Sequence, residues 1–405
     1  MKQWKKEEHF SKLYYFLSYT LPLIIILAIT LNELFLYSIA FLFILFITFN
    51  KLYLNYITKN IVIPNEAVVK KMFIGDQVNL AIPFENRGKL PIFNAKWLLF
   101  LYDSDECVKL LEDDEKNKYL SNQERYLFIP PATRRYFTVP LQAEKRGVAQ
   151  VRSMEVVLYD FFKLNFVRLS YEGQYRGEAI VYPTPQTIIG LENMIQQQKG
   201  NKPQRYSYYE DVMMTTGNRD YTTGDPFNQI NWKASARSQS LQTKMYEKMT
   251  LSQYTLVLNI KNENPYRQTL ENLEEVLSSA AYACQFATKK QISFDMYINV
   301  KIPGSSTGLY LPLGSGEAHL MRALEMLSRI RKSNVIVPIE NTLYTIFNGK
   351  NTSPYIIHFG TYTPEIDESY RMSNRNRSHI YRIDSSNGQT QLFPVGRHSS
   401  ETLAN

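Results

Sequence analysis

The run LYYFLSYTLPLIIILAITL occupies Leu13 to Leu31, and a second run, LFLYSIAFLFILFITF, occupies Leu34 to Phe49. Neither run contains a charged residue, and only Asn32 and Glu33 separate them. A helix needs about 20 apolar residues to cross the hydrocarbon core of a bilayer, and the second run reaches this length by continuing through Tyr53. The two-residue break predicts a tight hairpin of two transmembrane helices. A signal peptide would be shorter, would carry a small-residue cleavage motif and would not be followed at once by another apolar run.

Lysine residues flank the predicted hairpin on both sides. They precede it at Lys2, Lys5, Lys6 and Lys12, and they follow at Lys51, Lys59, Lys70 and Lys71. Cytoplasmic flanks of transmembrane helices carry an excess of Lys and Arg. Both flanks, and all residues after 60, are therefore predicted to lie in the cytoplasm, with the lipid bilayer as the first partner.

Composition limits the class of the remaining chain. The 405 residues are 44% hydrophobic and 21% charged, which is typical of two or three globular domains and excludes a disordered or collagen-like chain. Only Cys107 and Cys284 are present, which excludes a disulfide scaffold and a site built from cysteines alone. The net charge is +8, but the basic residues form no dense run, so no specific nucleic-acid partner is predicted.

Two different patterns follow the predicted anchor at residues 1–60. Residues 61–185 contain short strands separated by turn residues, for example Gln77 to Ile82 after the turn at Gly75, which predicts a β-sandwich-like domain. Residues 205–394 alternate strands with amphipathic helices, one of them capped by Ser315, which predicts an α/β domain with a mostly parallel sheet. Residues 395–405 are polar and are predicted to form a flexible tail.

The densest cluster of functional side chains lies between residues 217 and 237. Asp225 followed by Pro226 predicts a helix N-cap, with the helix running to about residue 237 and burying Phe227, Ile230 and Ala234. The cluster is either a polar binding surface or an internal salt-bridged brace that joins the helix to the sheet. Buried Arg–Asp networks commonly serve as structure, which favours the brace. Its candidate residues are Arg219, Asp220, Asp225, Trp232, Lys233 and Arg237.

This cluster carries a resemblance to a known family. The motifs are Arg219-Asp-Tyr-x-x-Gly-Asp225 and Ile230-Asn-Trp-Lys-Ala-Ser-Ala-Arg237, supported by Lys145-Arg-Gly147, Val181-Tyr-Pro-Thr-Pro185 and Asp160-Phe-Phe-Lys-Leu164. The last replaces the family's usual Asp-Pro-Phe-Gly-Leu/Phe. The chain resembles the bacterial family called domain of unknown function 58. The resemblance implies a two-helix membrane anchor, a β-rich region and a von Willebrand factor A-like domain.

The resemblance also implies partner proteins. Proteins of this family are typically found with MoxR-type AAA+ ATPases and with transglutaminase-like membrane proteins, in the bacterial cytoplasmic membrane. A von Willebrand A-like domain often binds a divalent cation through Asp-x-Ser-x-Ser, where this chain has Asn259-Ile-Lys261-Asn-Glu263. Asn259 lacks the carboxylate charge that a hard cation favours, and Lys261 places an ammonium group where a hydroxyl ligand should sit. No metal and no cofactor are therefore predicted at this degenerate site.

The sequence nominates no catalytic residue. It contains no GxxxxGK[ST] loop, and its histidines do not form an HExxH motif. Cys284 lies on the apolar face of a predicted helix, and Cys107 follows acidic residues that would raise the pKa of its thiol. The chain is accordingly predicted to be a non-enzymatic, membrane-tethered scaffold. The alternative is an enzyme with an unrecognised active site among the residues from Arg219 to Arg237.

Overall fold

The computed structural model describes residues 4–64, 66–111, 121–173, 175–194, 210–248, 253–264, 266–305, 307–349, 353–374, 378–386 and 389–395. They form two compact units, Met1–Thr184 and Pro185–Asn405.

Two apolar helices dominate the start of the first unit. Helix α1 spans Lys12–Leu31 and is capped by Ser11, whose Oγ accepts a hydrogen bond from the backbone N–H of Tyr14 at 3.1 Å. Helix α2 spans Leu34–Asn60. Both are long and apolar enough to cross a membrane, which confirms the two predicted apolar helices.

Helix α2 continues beyond its apolar run into the β-rich part of the first unit. It has 27 residues and is therefore about 40 Å long, longer than the ~30 Å of a hydrocarbon core. Its last turns bury Tyr53, Leu54 and Ile57 in the same hydrophobic core as Leu80 and Trp97. The helix and the β-rich part thus share one core.

Two sheets enclose that core. The strands are β1 (Trp4–Phe10), β2 (Ile61–Val62), β3 (Val68–Met72), β4 (Gln77–Asn86), β5 (Ile92–Tyr102), β6 (Val108–Leu110), β7 (Ser121–Ile129), β8 (Thr133–Ala143), β9 (Gly147–Tyr159), β10 (Asn165–Tyr171) and β11 (Gly177–Val181). In the larger sheet the order is β1-β10-β9-β11-β3, and β5 pairs with both β9 and β7. The smaller sheet has the order β2-β4-β8-β6.

Strand β1 precedes the helices but belongs to the sheet. It pairs antiparallel with β10, from Trp4 opposite Tyr171 to Phe10 opposite Asn165. The Trp4 Nε1–H also donates to the carbonyl oxygen of Ile61, just after α2. From the sequence, these residues were predicted to belong to the anchor alone. In the structure, the chain enters and leaves the helical hairpin from the same β-rich body.

The second unit is built on a mixed sheet. Its elements are β12 (Ile188–Ile189), β15 (Gln253–Asn259), α4 (Leu273–Lys289), β16 (Ser293–Ile298), β17 (Leu309–Gly314), α5 (Glu317–Ser328), α6 (Ile339–Asn348), β18 (Tyr355–Gly360), α7 (Pro364–Ser373), β19 (His379–Ser386) and β20 (Gln389–Val395). The sheet has the order β12-β20-β19-β18-β15-β16-β17. In the described part of this unit β12/β20, β19/β18, β18/β15 and β15/β16 are parallel, whereas β19/β20 and β16/β17 are antiparallel.

A separate hairpin in this unit carries the family-like motif. Strands β13 (Glu210–Asp220) and β14 (Gln242–Lys248) pair antiparallel, and between them lie a 3₁₀ turn, Phe227–Gln229, and helix α3, Trp232–Ser238.

Two predicted helix caps were wrong. Helix α3 does not begin at Pro226 but at Trp232, and its cap is Asn231, whose Oδ1 accepts from the Ala234 N–H at 3.2 Å. A 3₁₀ turn and not an α-helix follows Pro226, and the Asp225 carboxylate accepts from Arg219, Thr222 and Thr243 instead. Helix α5 begins after Gly316, whose φ of +83° favours glycine, so Ser315 lies one residue too early to cap it.

Candidate functional site

Arg219 and Asp225 form the centre of the motif. The Arg219 guanidinium donates two hydrogen bonds to the Asp225 carboxylate, Nη1 to Oδ2 at 2.7 Å and Nη2 to Oδ1 at 2.6 Å. The Thr222 N–H and the Thr243 hydroxyl also donate to Oδ2, at 3.0 and 3.2 Å. The Arg219 guanidinium and then the Thr222 N–H hold the pKa of Asp225 well below its usual range, so the carboxylate stays ionised.

A second set of hydrogen bonds joins helix α3 to both strands of the hairpin. The Asn231 side chain donates to Asn218 Oδ1 on β13 at 2.7 Å, and its backbone N–H donates to the Gln242 carbonyl on β14 at 2.8 Å. Gln242 in turn donates through its side chain to Asp220 Oδ1 and through its backbone to Ser235 Oγ. Arg219, Asp220 and Asp225 therefore hold the motif together, within the hairpin itself.

Other side chains of the motif face solvent. Phe227 is 71% exposed and Trp232 is 59% exposed, with their ring centroids 6.3 Å apart. Lys233 and Arg237 are exposed and lie four residues apart, hence on one face of α3. We call Phe227, Trp232, Lys233 and Arg237 the aromatic–basic surface.

Phe227 was expected inside the protein with Ile230. Only Ile230 is buried, and Ala234 is half-buried. The expectation assumed a continuous helix from Pro226, whereas the 3₁₀ turn rotates Phe227 away from the face that Ile230 buries. Sequence reasoning therefore missed Phe227 as a surface residue. The adjacent Asp225-Pro226 pair, which favours a turn, is the signal that could have identified it.

Asn259 lies at the end of β15 and is buried among strand ends. Its Nδ2 donates to the Thr361 carbonyl at 2.8 Å, and its Oδ1 accepts from Asn299 Nδ2 at 2.7 Å. Asn299 Oδ1 accepts from the Ile260 N–H at 2.9 Å. The Asn259 amide therefore ties together the segments that follow β15, β16 and β18.

A cavity of about 390 Å³ opens beside these strand ends, and α4 forms part of its wall. Strand β15 lies between β16, the next strand along the chain, and β18, so the strand order reverses direction at β15. Open α/β sheets commonly bind ligands at the carboxyl ends of strands where the order reverses in this way. The lining includes Glu263, Glu271, Ser279, Thr361, Arg382 and Asp384. In the part of the chain that the structure describes, no group of three or more His, Cys, Asp or Glu side chains has the geometry of a metal site. Lys261 and Glu263 are both exposed.

Both cysteines are buried. Burial raises the pKa of the Cys284 thiol on α4. Burial also raises the pKa of Cys107, and the Asp103 carboxylate adds to the effect. The neighbouring acidic residues, which alone predicted this rise, are therefore the smaller cause. Neither thiol has the exposure or the low pKa of a reactive nucleophile.

Two further titratable groups are buried in the second unit. Burial raises the pKa of Asp295, on β16, to about 6. Burial lowers the pKa of His358, on β18, to about 4, so this imidazole is neutral near pH 7. Its two ring nitrogens contact the Tyr370 hydroxyl at 2.8 Å and the Thr361 carbonyl at 2.9 Å. His358 thus serves to connect β18 with α7 and the following turn.

Comparison with known proteins supports the family resemblance. The family model described as "Protein of unknown function DUF58" matches residues 217–342, which include the motif and Asn259. No curated protein matches the chain.

Solved structures share only limited similarity with the chain. Native Escherichia coli alpha-2-macroglobulin is 13% identical with a TM-score of 0.20, over 31% of this chain and 7% of the macroglobulin. A CARDB domain from Pyrococcus furiosus is 10% identical with a TM-score of 0.16, over 30% of this chain and 87% of that domain. The sporulation control protein Spo0M of Bacillus subtilis is 14% identical with a TM-score of 0.15, over 35% of this chain and 54% of Spo0M. The chain spans less than a tenth of the macroglobulin's length, and scores this low do not establish a shared fold.

Proposed function

We propose that the chain is a membrane-tethered cytoplasmic interaction protein that binds a partner protein through the aromatic–basic surface. One observation carries this proposal. Within one motif Arg219 and Asp225 are engaged with each other, whereas Phe227 and Trp232 lie side by side in solvent. Aromatic residues and Arg are enriched in protein interfaces and dominate their binding energy.

The proposed anchor is the α1–α2 hairpin in a bacterial cytoplasmic membrane. The pairing of β1 with β10 supports it, because the segments before α1 and after α2 then lie on the same side of the bilayer. The lysines at both flanks favour the cytoplasmic side. For the second unit we infer a von Willebrand factor A-like domain. The parallel pairing of β15 with both β16 and β18 is what favours it.

The proposed partner is a MoxR-type AAA+ ATPase, and transglutaminase-like membrane proteins are further proposed members of the same assembly. The family resemblance motivates both. Lys233 and Arg237 would meet an acidic surface of the ATPase, so complex formation should weaken as salt concentration rises.

An active site among the same residues has less support. A general acid must hold a proton near neutral pH, but the Asp225 carboxylate stays ionised under its four donated hydrogen bonds. The Arg219 guanidinium is likewise engaged by Asp225. The Asp225 carboxylate and the Arg219 guanidinium thus have a structural role.

Detergent extraction of the tagged full-length protein, followed by mass spectrometry with and without ATP, tests the proposal. We expect stoichiometric recovery of an ATPase with the unaltered chain and with Tyr344→Ala, which removes an exposed aromatic ring from α6. Trp232→Ala and the double change Lys233→Ala/Arg237→Ala should abolish or strongly reduce it. Equal recovery with all variants would refute the surface. Recovery of the chain alone, under conditions that preserve other weak complexes, would refute the partner.

A further inference from the structure

A buried carboxylate shapes the loop between β9 and β10. Asp160 Oδ1 accepts from the Leu164 N–H at 2.8 Å, and Oδ2 accepts from the Asn165 N–H at 2.8 Å and from its side-chain amide at 3.0 Å. Asp160 is fully buried, whereas Phe161 is 48% and Phe162 is 53% exposed. The loop therefore holds two adjacent phenylalanine rings outside the core of the first unit.

The loop lies where both apolar helices leave the β-rich body. The Phe162 ring contacts Phe46 of α2, with centroids 4.7 Å apart, and the Phe161 ring lies 6.2 Å from Tyr53 of the same helix. The Ser11 N–H, at the start of α1, donates to the Leu164 carbonyl at 3.2 Å.

Two more rings extend the exposed aromatic area. Phe93 lies 5.9 Å from Phe161, and Phe128 stacks on Phe93 at 5.9 Å. These rings are 45% and 43% exposed. We call Phe93, Phe128, Phe161 and Phe162 the phenylalanine patch. A contiguous exposed apolar patch marks a site that meets a protein or a membrane.

The position of Phe46 favours the membrane. Phe46 belongs to the uncharged run of α2, and Asn50 and the first charged residue, Lys51, follow about one turn later, roughly 6–8 Å along the helix. A ring that contacts Phe46 therefore lies at the depth where hydrocarbon gives way to headgroups. Lys51 and Lys163 are exposed near this level, and cationic side chains are attracted to anionic headgroups.

We propose that the phenylalanine patch inserts into the interfacial region of the bilayer, so that the first unit sits directly on lipid. This inference rests on the proposed membrane anchor and adds a second point of attachment to it. Aromatic rings at the level of the headgroups are a common means of fixing the depth of a protein in a membrane.

Spin labelling of the full chain in vesicles of phosphatidylcholine and phosphatidylglycerol tests the inference. Cys107 and Cys284 are buried, so a thiol-specific nitroxide should label Phe162→Cys selectively. A second variant, Phe128→Cys, lies on β7 and covers the case that Phe162→Cys fails to fold. The control is Ile74→Cys, an exposed position before β4. Strand β4 has ten residues and is therefore about 30 Å long, and its far end pairs with Ile61 just after α2. Ile74 therefore lies far from the end of α2.

Collisions with oxygen, which partitions into lipid, are compared with collisions with a water-soluble nickel chelate. Labels at residues 162 and 128 should favour oxygen over nickel several-fold more than the label at residue 74. Equal ratios, with the chain still in the vesicles after a carbonate wash, would overturn the inference and leave the anchor standing. Shielding of residue 162 from both reagents would indicate a protein neighbour and would also overturn it. Loss of the chain from the vesicles would overturn the anchor and the inference together.

Discussion

The Arg219 guanidinium and the Asp225 carboxylate form a bidentate ion pair, with N–O distances of 2.7 and 2.6 Å. Removing the carboxylate in Asp225→Ala leaves Arg219, the Thr222 N–H and the Thr243 hydroxyl without a common acceptor. The variant should melt several degrees below the unaltered protein, as measured by differential scanning fluorimetry. Glu263→Ala, which removes an exposed carboxylate in the same unit, is the control and should not change the melting temperature. Equal melting temperatures for the two variants would exclude a bracing role.

The sequence could identify this cluster but could not tell which of its residues are paired with one another and which are exposed. Polar and aromatic residues at 219–237 predict either a surface or a brace. In the structure Arg219 pairs with Asp225, whereas Phe227 and Trp232 are exposed, because the turn at residues 221–226 brings Arg219 back onto Asp225. That contact depends on the turn geometry, which residue spacing alone does not specify. In contrast, α1 contains a run of 19 uncharged, mainly apolar residues. The length and apolarity of such a run are by themselves typical of a membrane-spanning helix, so hydropathy predicted the helices well.

Strand β1 shows where local pattern fails. The segment WKKEEHF is mostly charged and exposed, with no alternation of buried residues. It becomes a strand because β10 supplies backbone partners and because the Trp4 ring packs on Tyr171, with centroids 5.5 Å apart. Both contacts lie far away in the sequence, so single-sequence reasoning assigned the segment to the anchor. The exposed phenylalanine pair at residues 161–162 was likewise recognised as a motif, but its position against α2 depends on the folded sheet.

Asn259 should matter for stability and not for cation binding. Asn259→Ala leaves the buried Asn299 side chain without its acceptor, and such a loss costs about 1–3 kcal/mol. Urea unfolding should show this decrease, whereas Lys261→Ala, at the exposed position two residues later, should be close to neutral. Isothermal titration should detect no specific micromolar binding of Mg²⁺ or Mn²⁺. Specific binding that Asn259→Ala abolishes would contradict the predicted absence of a metal.

Ile57 should be a core residue of the first unit, although it belongs to an apolar helix. It is buried in the same cluster as Leu80 and Trp97, so Ile57→Ala should lower the free energy of unfolding by about 2–5 kcal/mol. Phe41→Ala, on the exposed part of the same helix, should leave the β-rich body intact. Limited proteolysis in detergent measures the difference, because faster cleavage within residues 61–184 reports opening of that body. Equal cleavage rates for the two variants would show that α2 is not part of its core.

Asp295 should make stability depend on pH in a specific direction. Its pKa is about 6 in the folded chain, above the value of about 3.9 for an unfolded aspartate. The Asp295 contribution to stability is therefore greatest below pH 4 and is lost as pH rises from about 4 through 6, at about 1.4 kcal/mol for each pKa unit. His358 acts in the opposite sense, since its depressed pKa costs stability as pH falls from 6.5 to 4.

The difference in the free energy of unfolding between Asp295→Asn and the unaltered protein isolates the contribution of Asp295, because both proteins contain His358. Between pH 4 and pH 8 this difference should shift by roughly 2–3 kcal/mol in favour of Asp295→Asn. Urea unfolding at several pH values measures it, and Glu263→Gln, at an exposed carboxylate, should show no such shift. A difference that does not vary with pH would mean that Asp295 ionises in the folded chain as easily as in the unfolded one.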